Sequence, residues 1–242
     1  MLGAGSKYPT LRAPIAHLPS WFDSTGMKKI TVIDYGMGNL RSVRKAIEHV
    51  APGAEVRVTS NPDDLQRTDS VVFPGQGAIK GCVAAIDARG LREALLEAMN
   101  TKPFLGICLG LQALYKFSEE GGGTPGFDVL PGSVRLFPSD AMRDTATGQA
   151  LKVPHMGWNQ VHQVRRHPLW NGIAQDEYFY FVHSYYVESA DERYVAGLTE
   201  YGVRFTSMAA HENIFAMQCH PEKSKRAGLR LLKNFVGWDG VQ

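Results

Sequence analysis

Apolar and polar residues follow a regular order in the first half of the chain. Lys29 to Asp34 is a short apolar run that ends in turn-forming residues, and Leu40 to Val50 carries apolar residues at helical spacing. The same criteria predict strands at Glu55 to Thr59, Ser70 to Phe73 and Phe104 to Ile107, and helices at Ala84 to Met99 and Leu109 to Phe117. This alternation is typical of an α/β fold with a largely parallel sheet and helices on both faces.

The second half of the chain, from Val134 onward, has several β-like runs with few helical patterns between them. The runs are Asn159 to Val164, Tyr178 to Val182, Tyr194 to Leu198, Val203 to Met208 and Ile214 to Cys219. Successive strands without intervening helices favour antiparallel pairing, so we expect an antiparallel extension of the sheet. A final amphipathic helix is predicted at Ser224 to Val236.

Length and charge narrow the class of protein. A chain of 242 residues is long enough for one α/β domain with a substantial core. Residues 1–26 contain three prolines and no continuous apolar centre, so we expect an N-terminal tail followed by one domain over 27–242. The formal charge is only +2 and no run of one sign occurs, so a nucleic-acid partner is not expected.

Cysteine use and hydropathy suggest the compartment. The three cysteines, Cys82, Cys108 and Cys219, lack the spacing of a disulfide framework or a zinc site. No apolar stretch of the sequence approaches the ~20 residues that a membrane-spanning helix needs. We therefore expect a cytoplasmic protein without membrane attachment, metal or organic cofactor.

One cysteine occupies a position that suits a nucleophile. Gly106-Ile107-Cys108-Leu109-Gly110 lies where a predicted strand gives way to a helix, and flanking glycines permit the sharp turn of a nucleophile elbow. Free N–H groups at the start of the helix would favour the thiolate, the reactive form. The alternative is a buried structural cysteine beside two turn glycines, and the pattern alone does not decide between them.

A cysteine nucleophile needs a proton acceptor and donor, and His220 is the best candidate. It follows the run Ile214 to Cys219, and Pro221 separates it from Glu222. Side chains alternate in an extended segment, so His220 and Glu222 would share one side and the carboxylate could orient the imidazole. His167 also precedes a proline but lacks the strand and the glutamate. Taken alone, His220 would be interpreted as a capping or turn histidine near the last helix; the order Cys, His, Glu together with the elbow reverses that preference.

An oxyanion that forms during attack by a cysteine needs N–H donors. The backbone N–H of Leu109, directly after the nucleophile, is one candidate. The loop Pro74-Gly75-Gln76-Gly77 follows another predicted strand, and its glycines would let N–H groups turn inward. An ordinary strand-to-helix turn would have the same composition.

These motifs together carry a family resemblance. GICLGLQ at 106 to 112 and HPEKS at 220 to 224 resemble the class I glutamine amidotransferases. A narrower set of motifs is similar to the HisH family, the glutaminase subunits of imidazole glycerol phosphate synthase in histidine biosynthesis. These motifs are IDYGMGNLRSV at 33 to 43, PGQGA at 74 to 78, HMGWN at 155 to 159 and YFVHSYY at 180 to 186. The resemblance covers about residues 28 to 237.

The resemblance implies a single flavodoxin-like domain and a specific reaction. Cys108 would form a glutamyl thioester with L-glutamine and release ammonia, with His220 as general acid and base and Glu222 as its orienter. Gln112, Glu120 and the backbone near Ser184 match positions that hold glutamine. The ammonia would pass to a HisF-type (β/α)8-barrel cyclase, which forms imidazole glycerol phosphate and an aminoimidazole carboxamide ribotide.

The resemblance also implies an interface with that cyclase. The matching positions are Met156, Trp158, Asn159, Tyr180, His183 and Lys223. From the residues alone, the HMGWN segment favours a β-turn with a buried tryptophan, and only the resemblance shifts the interpretation toward contact with the cyclase. The chain departs from the family pattern at Gln76, where valine is usual; this puts in doubt how easily the oxyanion loop rearranges.

Two alternative functions stay open, of which the first would share the triad. One is a class I amidotransferase that serves anthranilate, guanylate or pyridoxal phosphate synthesis, although the IDYGMGN and HMGWN segments speak against it. The other is a cysteine hydrolase that acts alone on another amide, or a noncatalytic scaffold with the same fold.

Overall fold

The computed structural model describes residues 27–138, 142–144 and 147–241, and the predicted tail at 1–26 lies outside these ranges. The strands of the described residues are β1 (Lys29–Ile33), β2 (Glu55–Thr59), β3 (Ser70–Gly75), β4 (Phe104–Cys108), β5 (Tyr115–Ser118), β6 (Thr124–Pro125), β7 (Leu130–Leu136), β8 (His155–Gln163), β9 (Glu177–His183), β10 (Tyr185–Ser189), β11 (Val195–Glu200), β12 (Arg204–His211) and β13 (Ile214–Met217). The helices are α1 (Leu40–Val50), α2 (Pro62–Gln66), α3 (Ile79–Ala88), α4 (Arg92–Thr101), α5 (Leu109–Gln112) and α6 (Lys225–Gly237).

A parallel sheet forms the centre of the molecule. Strands β2, β1, β3, β4 and β13 lie side by side in that order, and all four pairings are parallel. Counted along the chain, this is the flavodoxin-like order 2-1-3-4-5. Loops at the carboxyl ends of β3, β4 and β13 therefore meet at one edge of the sheet, where ligands bind in such folds.

Helices cover both faces of this sheet because its strands are apolar on both sides. Helices α1 and α6 pack on one face, and the buried residues there include Ile30, Val32, Val43, Ile47, Val72, Leu105, Leu232 and Phe235. Helices α2, α3 and α4 pack on the other face, where the buried residues include Ile33, Leu65, Val71, Phe73, Ile86, Leu95 and Phe104. Successive side chains of a strand point to opposite faces of the sheet, so neighbouring residues such as Val71 and Val72 are buried on different faces.

The second half of the chain extends the sheet with antiparallel pairs. Strand β12 pairs with β13, β10 and β11, and β11 continues through β8 to β9. These pairings are antiparallel, so the predicted extension is confirmed. Among the described residues, no helix is long and apolar enough to cross a membrane.

Two of the predicted helices are wrong in extent. The segment predicted as Ala84 to Met99 belongs to two helices, α3 and α4, because Gly90 adopts a φ of 64° between them and ends the helical conformation. The segment predicted as Leu109 to Phe117 is only the single turn α5, after which β5 begins. Tyr115 is fully buried, and β5 pairs with β7. Tertiary pairing overrides the helical pattern there.

Candidate active site

Cys108 ends strand β4 in a strained backbone conformation. Its φ of 55° and ψ of −106° are rare for a residue with a side chain. The flanking glycines make the turn possible: a Cβ at Gly110 would overlap the carbonyl oxygen of Phe73 in β3, and one at Gly106 would lie 2.9 Å from the Ala216 Cβ in β13. The predicted nucleophile elbow is thus present, with β4 and α5 packed against both neighbouring strands.

The ends of three parallel strands bring the predicted residues together. Gly75 at the end of β3 pairs with Cys108, and Met217 at the end of β13 pairs with Ile107. The chain continues from β13 through two residues to His220. The nucleophile, the glycine loop and the histidine therefore lie along one edge of the sheet.

His220 and Glu222 form the predicted pair. The His220 Nδ1 lies 2.9 Å from the Glu222 Oε1, and both side chains are at most 2% exposed. The reason given from the sequence was wrong in part, because the segment is not extended: His220 precedes a 3-10 turn at Pro221–Lys223. The turn, rather than strand alternation, brings the carboxylate to the ring.

The surroundings of His220 favour its protonated form. Burial disfavours the imidazolium, but the Cys108 sulfur and the Glu222 carboxylate outweigh burial and raise the pKa of His220 to about 10. Nε2 of this ring is buried and has no hydrogen-bond partner within the described ranges. The sulfur thus attracts the imidazolium without meeting hydrogen-bond geometry. A proton on Nε2 is available for transfer.

The glycine loop after β3 packs against the loop after β1. Gly77 has a φ of 90°, and a Cβ there would lie 2.7 Å from the Met37 Cε. A Cβ at Gly75 would overlap the Tyr35 hydroxyl and come within 2.8 Å of the Leu109 Cβ. The loop thus lies directly beside the elbow, and Gln76 is partly buried within it. The oxyanion roles of Gly75, Gln76, Gly77 and Leu109 stay predictions.

The three predicted glutamine-binding positions surround this edge. Gln112, one turn after the nucleophile, is buried, and its Nε2 donates to the Tyr185 carbonyl at 3.0 Å. Glu120 Oε2 accepts from the backbone N–H of Ile79 at 2.7 Å, at the start of α3. Ser184 lies at the break between β9 and β10. Their roles in binding also stay predictions.

Sequence reasoning missed Gln218, which contacts the nucleophile. Its Nε2 donates to Cys108 Sγ at 3.6 Å, and its Oε1 accepts from Gln112 Nε2 at 3.0 Å. It is fully buried. A signal was available in the sequence, because Gln218 lies near the end of the predicted strand Ile214 to Cys219, only two residues before the proposed base His220.

The predicted interface residues are only partly on the surface. Met156 and Trp158 on β8 are 62% and 42% exposed, so the alternative of a β-turn with a buried tryptophan is wrong. The Trp158 and Tyr180 rings meet edge to face, and Lys223 Nζ lies 5.8 Å from the centre of the Tyr180 ring. We call the surface of Met156, Trp158, Tyr180 and Lys223 the β8–β9 face.

The other two interface candidates point inward. His183 is only 6% exposed and lies beneath the β8–β9 face. The Asn159 amide donates to the carbonyl of Glu200 at 2.9 Å and contacts His155 Nε2 at 3.3 Å. Their side chains are thus engaged within the chain. Among the described residues, no group of three histidine, cysteine or acidic side chains is placed to hold a metal ion.

Comparison with known proteins agrees with this geometry. The profile of the family "Glutamine amidotransferase class-I" matches residues 31–237. A crystal structure of a glutamine amidotransferase has a TM-score of 0.62 at 16% identity and covers 86% of this chain and 99% of that one. The structure of PurLQS from Thermotoga maritima has a TM-score of 0.65 at 17% identity, covering 87% and 98%. These two likenesses show the shared fold.

The fold and the site define a class I glutamine amidotransferase. Imidazole glycerol phosphate synthase subunit HisH of Thiobacillus denitrificans is 59% identical over 210 residues, which are 87% of this chain and 91% of that protein. The HisH subunit of Aromatoleum aromaticum is 57% identical, over 88% of this chain and 99% of that protein. The chain belongs to the HisH family, and both levels of the predicted resemblance are confirmed.

Proposed function

We propose that this glutaminase subunit hydrolyses L-glutamine through a thioester on Cys108. One observation carries the proposal: the strained Cys108 lies at the same edge of the sheet as a buried histidine–glutamate pair. In this pair, His220 Nδ1 is 2.9 Å from Glu222 Oε1. The thiolate attacks the side-chain amide carbon of glutamine. N–H groups of Leu109 and of the Gly75–Gly77 loop stabilise the oxyanion that forms.

His220 then moves the proton in both halves of the reaction. The imidazolium donates its Nε2 proton to the amide nitrogen, the C–N bond breaks, and ammonia leaves a glutamyl thioester. Water attacks the thioester while the neutral imidazole accepts its proton. The C–S bond breaks, which releases glutamate and restores the thiolate–imidazolium pair. Glu222 stabilises the imidazolium in each resting state.

The ammonia has a destination in the proposed complex. We infer that the chain pairs with a HisF-type (β/α)8-barrel cyclase as a heterodimer. The β8–β9 face supports this partner because it carries an exposed methionine, an exposed tryptophan and a half-buried tyrosine, types enriched in interface centres. The cyclase would use the ammonia to form imidazole glycerol phosphate and an aminoimidazole carboxamide ribotide.

Replacement of the nucleophile tests the proposed chemistry. We expect Cys108→Ala to abolish glutamine hydrolysis, assayed as glutamate release with a HisF-type cyclase and its nucleotide substrate present, because the thioester cannot form. The fold should remain intact by circular dichroism. Cys82→Ala is the matched control, since Cys82 is equally buried but belongs to α3, and this variant should retain activity. Hydrolysis by the Cys108→Ala chain would contradict the assignment.

A further inference from the structure

A buried histidine pair lies beneath the β8–β9 face. The His183 Nδ1 is 2.7 Å from the Tyr185 carbonyl oxygen, and its Nε2 is 3.0 Å from the His155 Nδ1. A carbonyl oxygen only accepts, so His183 Nδ1 carries a proton and, in the neutral ring, Nε2 accepts one from His155. Burial lowers the pKa of His183 to about 3 and that of His155 to about 4, which keeps both rings neutral.

The far end of this pair is also fixed. With its proton on Nδ1, His155 accepts at Nε2 from the Asn159 amide, which lies 3.3 Å away. The same Asn159 nitrogen donates to the Glu200 carbonyl at 2.9 Å. All ring nitrogens of the pair therefore have partners, and the ring N–H groups of His155 and His183 both donate in the direction of Tyr185.

The Tyr185 carbonyl links the pair to the nucleophile. It accepts a second hydrogen bond from Gln112 Nε2 at 3.0 Å, and the same nitrogen donates to Gln218 Oε1 at 3.0 Å. Gln218 in turn donates to Cys108 Sγ at 3.6 Å. A continuous chain of hydrogen bonds thus runs from β8 to the reactive sulfur.

The position of His183 in the backbone adds a second constraint. It is the last residue of β9, and its ring bonds across Ser184 to the first residue of β10. The Ser184 carbonyl accepts from the N–H of Phe137 at 3.1 Å. The ring therefore fixes the break between two strands at the residue whose backbone is predicted to hold glutamine.

We propose that His183 is a positioning residue of the glutaminase, which sets the Gln112 amide and the Ser184 backbone through its hydrogen bond to the Tyr185 carbonyl. The inference rests on the proposed function. His183 does not touch the reacting atoms. It acts by removing rotational freedom from two groups that bind the substrate, so its loss weakens glutamine binding more than it slows the chemical step.

The test compares His183→Leu with His183→Asn in the complex with a HisF-type cyclase. Leucine removes both ring hydrogen bonds, so we expect the KM for glutamine to rise about tenfold and kcat to fall less than threefold. Asparagine keeps an N–H donor near the Nδ1 position and should restore the KM to within about threefold of the wild-type value.

His167→Leu is the matched control. His167 is another buried histidine of lowered pKa, about 4. It accepts from the N–H of Leu169 and packs against Phe215 and Trp238, outside the candidate site. A comparable loss of thermal stability without a rise in KM is expected. Equal KM values for the His183→Leu and His167→Leu chains would overturn the proposal.

A double-variant cycle shows whether His183 acts through Gln112. If it does, combining His183→Leu with Gln112→Ala raises KM by less than the product of the two single effects. If the double variant raises KM by the product of the two single factors, the two residues act independently, and the proposal would also be overturned. If His183→Leu does not fold, His155→Leu is the substitute, because it removes the hydrogen bond from His155 Nδ1 to His183 Nε2 and should also raise the KM for glutamine. An unchanged KM in this variant would contradict the proposed chain of hydrogen bonds.

Failure of the underlying function gives a different result. If the wild-type complex consumes no glutamine, the proposed function is wrong and no KM can be measured. If the wild type is active but His183→Leu leaves the KM unchanged, only the positioning role is wrong.

Discussion

At the scale of single residues, burial alone does not set the charge of a histidine in this protein. His220, His183 and His155 are all buried. His220 faces a thiol and a carboxylate, and its pKa is raised; the other two face neutral groups or each other, and their pKa values are lowered. Charge partners thus separate His220, the proposed general acid and base, from the two histidines whose pKa values burial lowers.

Titration of the histidines follows from these environments. We expect the His220 imidazole to stay protonated at pH 8 and to titrate near pH 10, measured by imidazole 15N NMR. His183 should stay neutral down to pH 5, because its pKa is lowered to about 3. A His220 signal that titrates near pH 6.5 would contradict the proposed pair.

The raised pKa of His220 also makes the stability of the folded protein depend on pH. Because the folded-state pKa of His220 lies above its unfolded value, its stabilisation is fully present below about pH 6.5 and is lost as pH rises through about 10. The difference in melting temperature between wild type and His220→Asn should therefore shrink from pH 6.5 to 10.

At the scale of elements, the elbow depends on contact between backbones. Helix α5 has only four residues, so its dipole is small, and the direct contact to the sulfur comes from Gln218, whose Nε2 donates to it at 3.6 Å. The turn fits because Gly110 lies against the Phe73 carbonyl of β3. Backbone packing, rather than helix length, therefore positions the sulfur.

Substitution of Gly110 measures this packing. We expect Gly110→Ala to lower the free energy of unfolding by about 3 kcal/mol or more, because its Cβ overlaps a backbone atom that cannot rotate away. Gly53→Ala is the control, since a Cβ there meets nothing within 4 Å, and its change should stay within about 0.5 kcal/mol. Urea denaturation of both variants gives the comparison; equal stabilities would show that the elbow can relax.

At the scale of the whole molecule, the β8–β9 face lies directly behind the turn that carries His220 and Glu222. The backbone N–H of His220 donates to the Tyr180 carbonyl at 2.9 Å. The Ser224 hydroxyl donates to the His220 carbonyl at 2.6 Å and accepts from the Tyr180 N–H at 3.0 Å. A partner seated on this face would thus contact β9, the strand that is hydrogen-bonded to the proposed base His220.

Removal of the exposed indole tests the face. We expect Trp158→Ala to weaken binding of a HisF-type cyclase at least tenfold, measured by calorimetric titration, because a half-exposed aromatic residue beside Tyr180 suits an interface anchor. Leu136→Ala removes a similarly exposed apolar side chain on β7, 49% exposed, and should leave the affinity unchanged. Equal affinities of both variants would place the interface elsewhere.

Local sequence determined much of this protein. Apolar runs of β-forming length predicted β1 to β4, and the glycines around Cys108 predicted the elbow, because steric limits on the backbone act within a few residues. The motifs at Cys108 and His220 indicated the family for the same reason: the chemistry needs particular side chains at short spacings.

Tertiary structure alone decided the remainder. It ended α5 after one turn, where the following residues pair with β7 as β5 and Tyr115 is fully buried. It also joined His155, His183, Gln112 and Gln218 into one chain, although these residues lie in four separate segments. Hydrogen bonds between distant segments depend on how strands pair, and the pairing register depends on the whole core rather than on any local pattern.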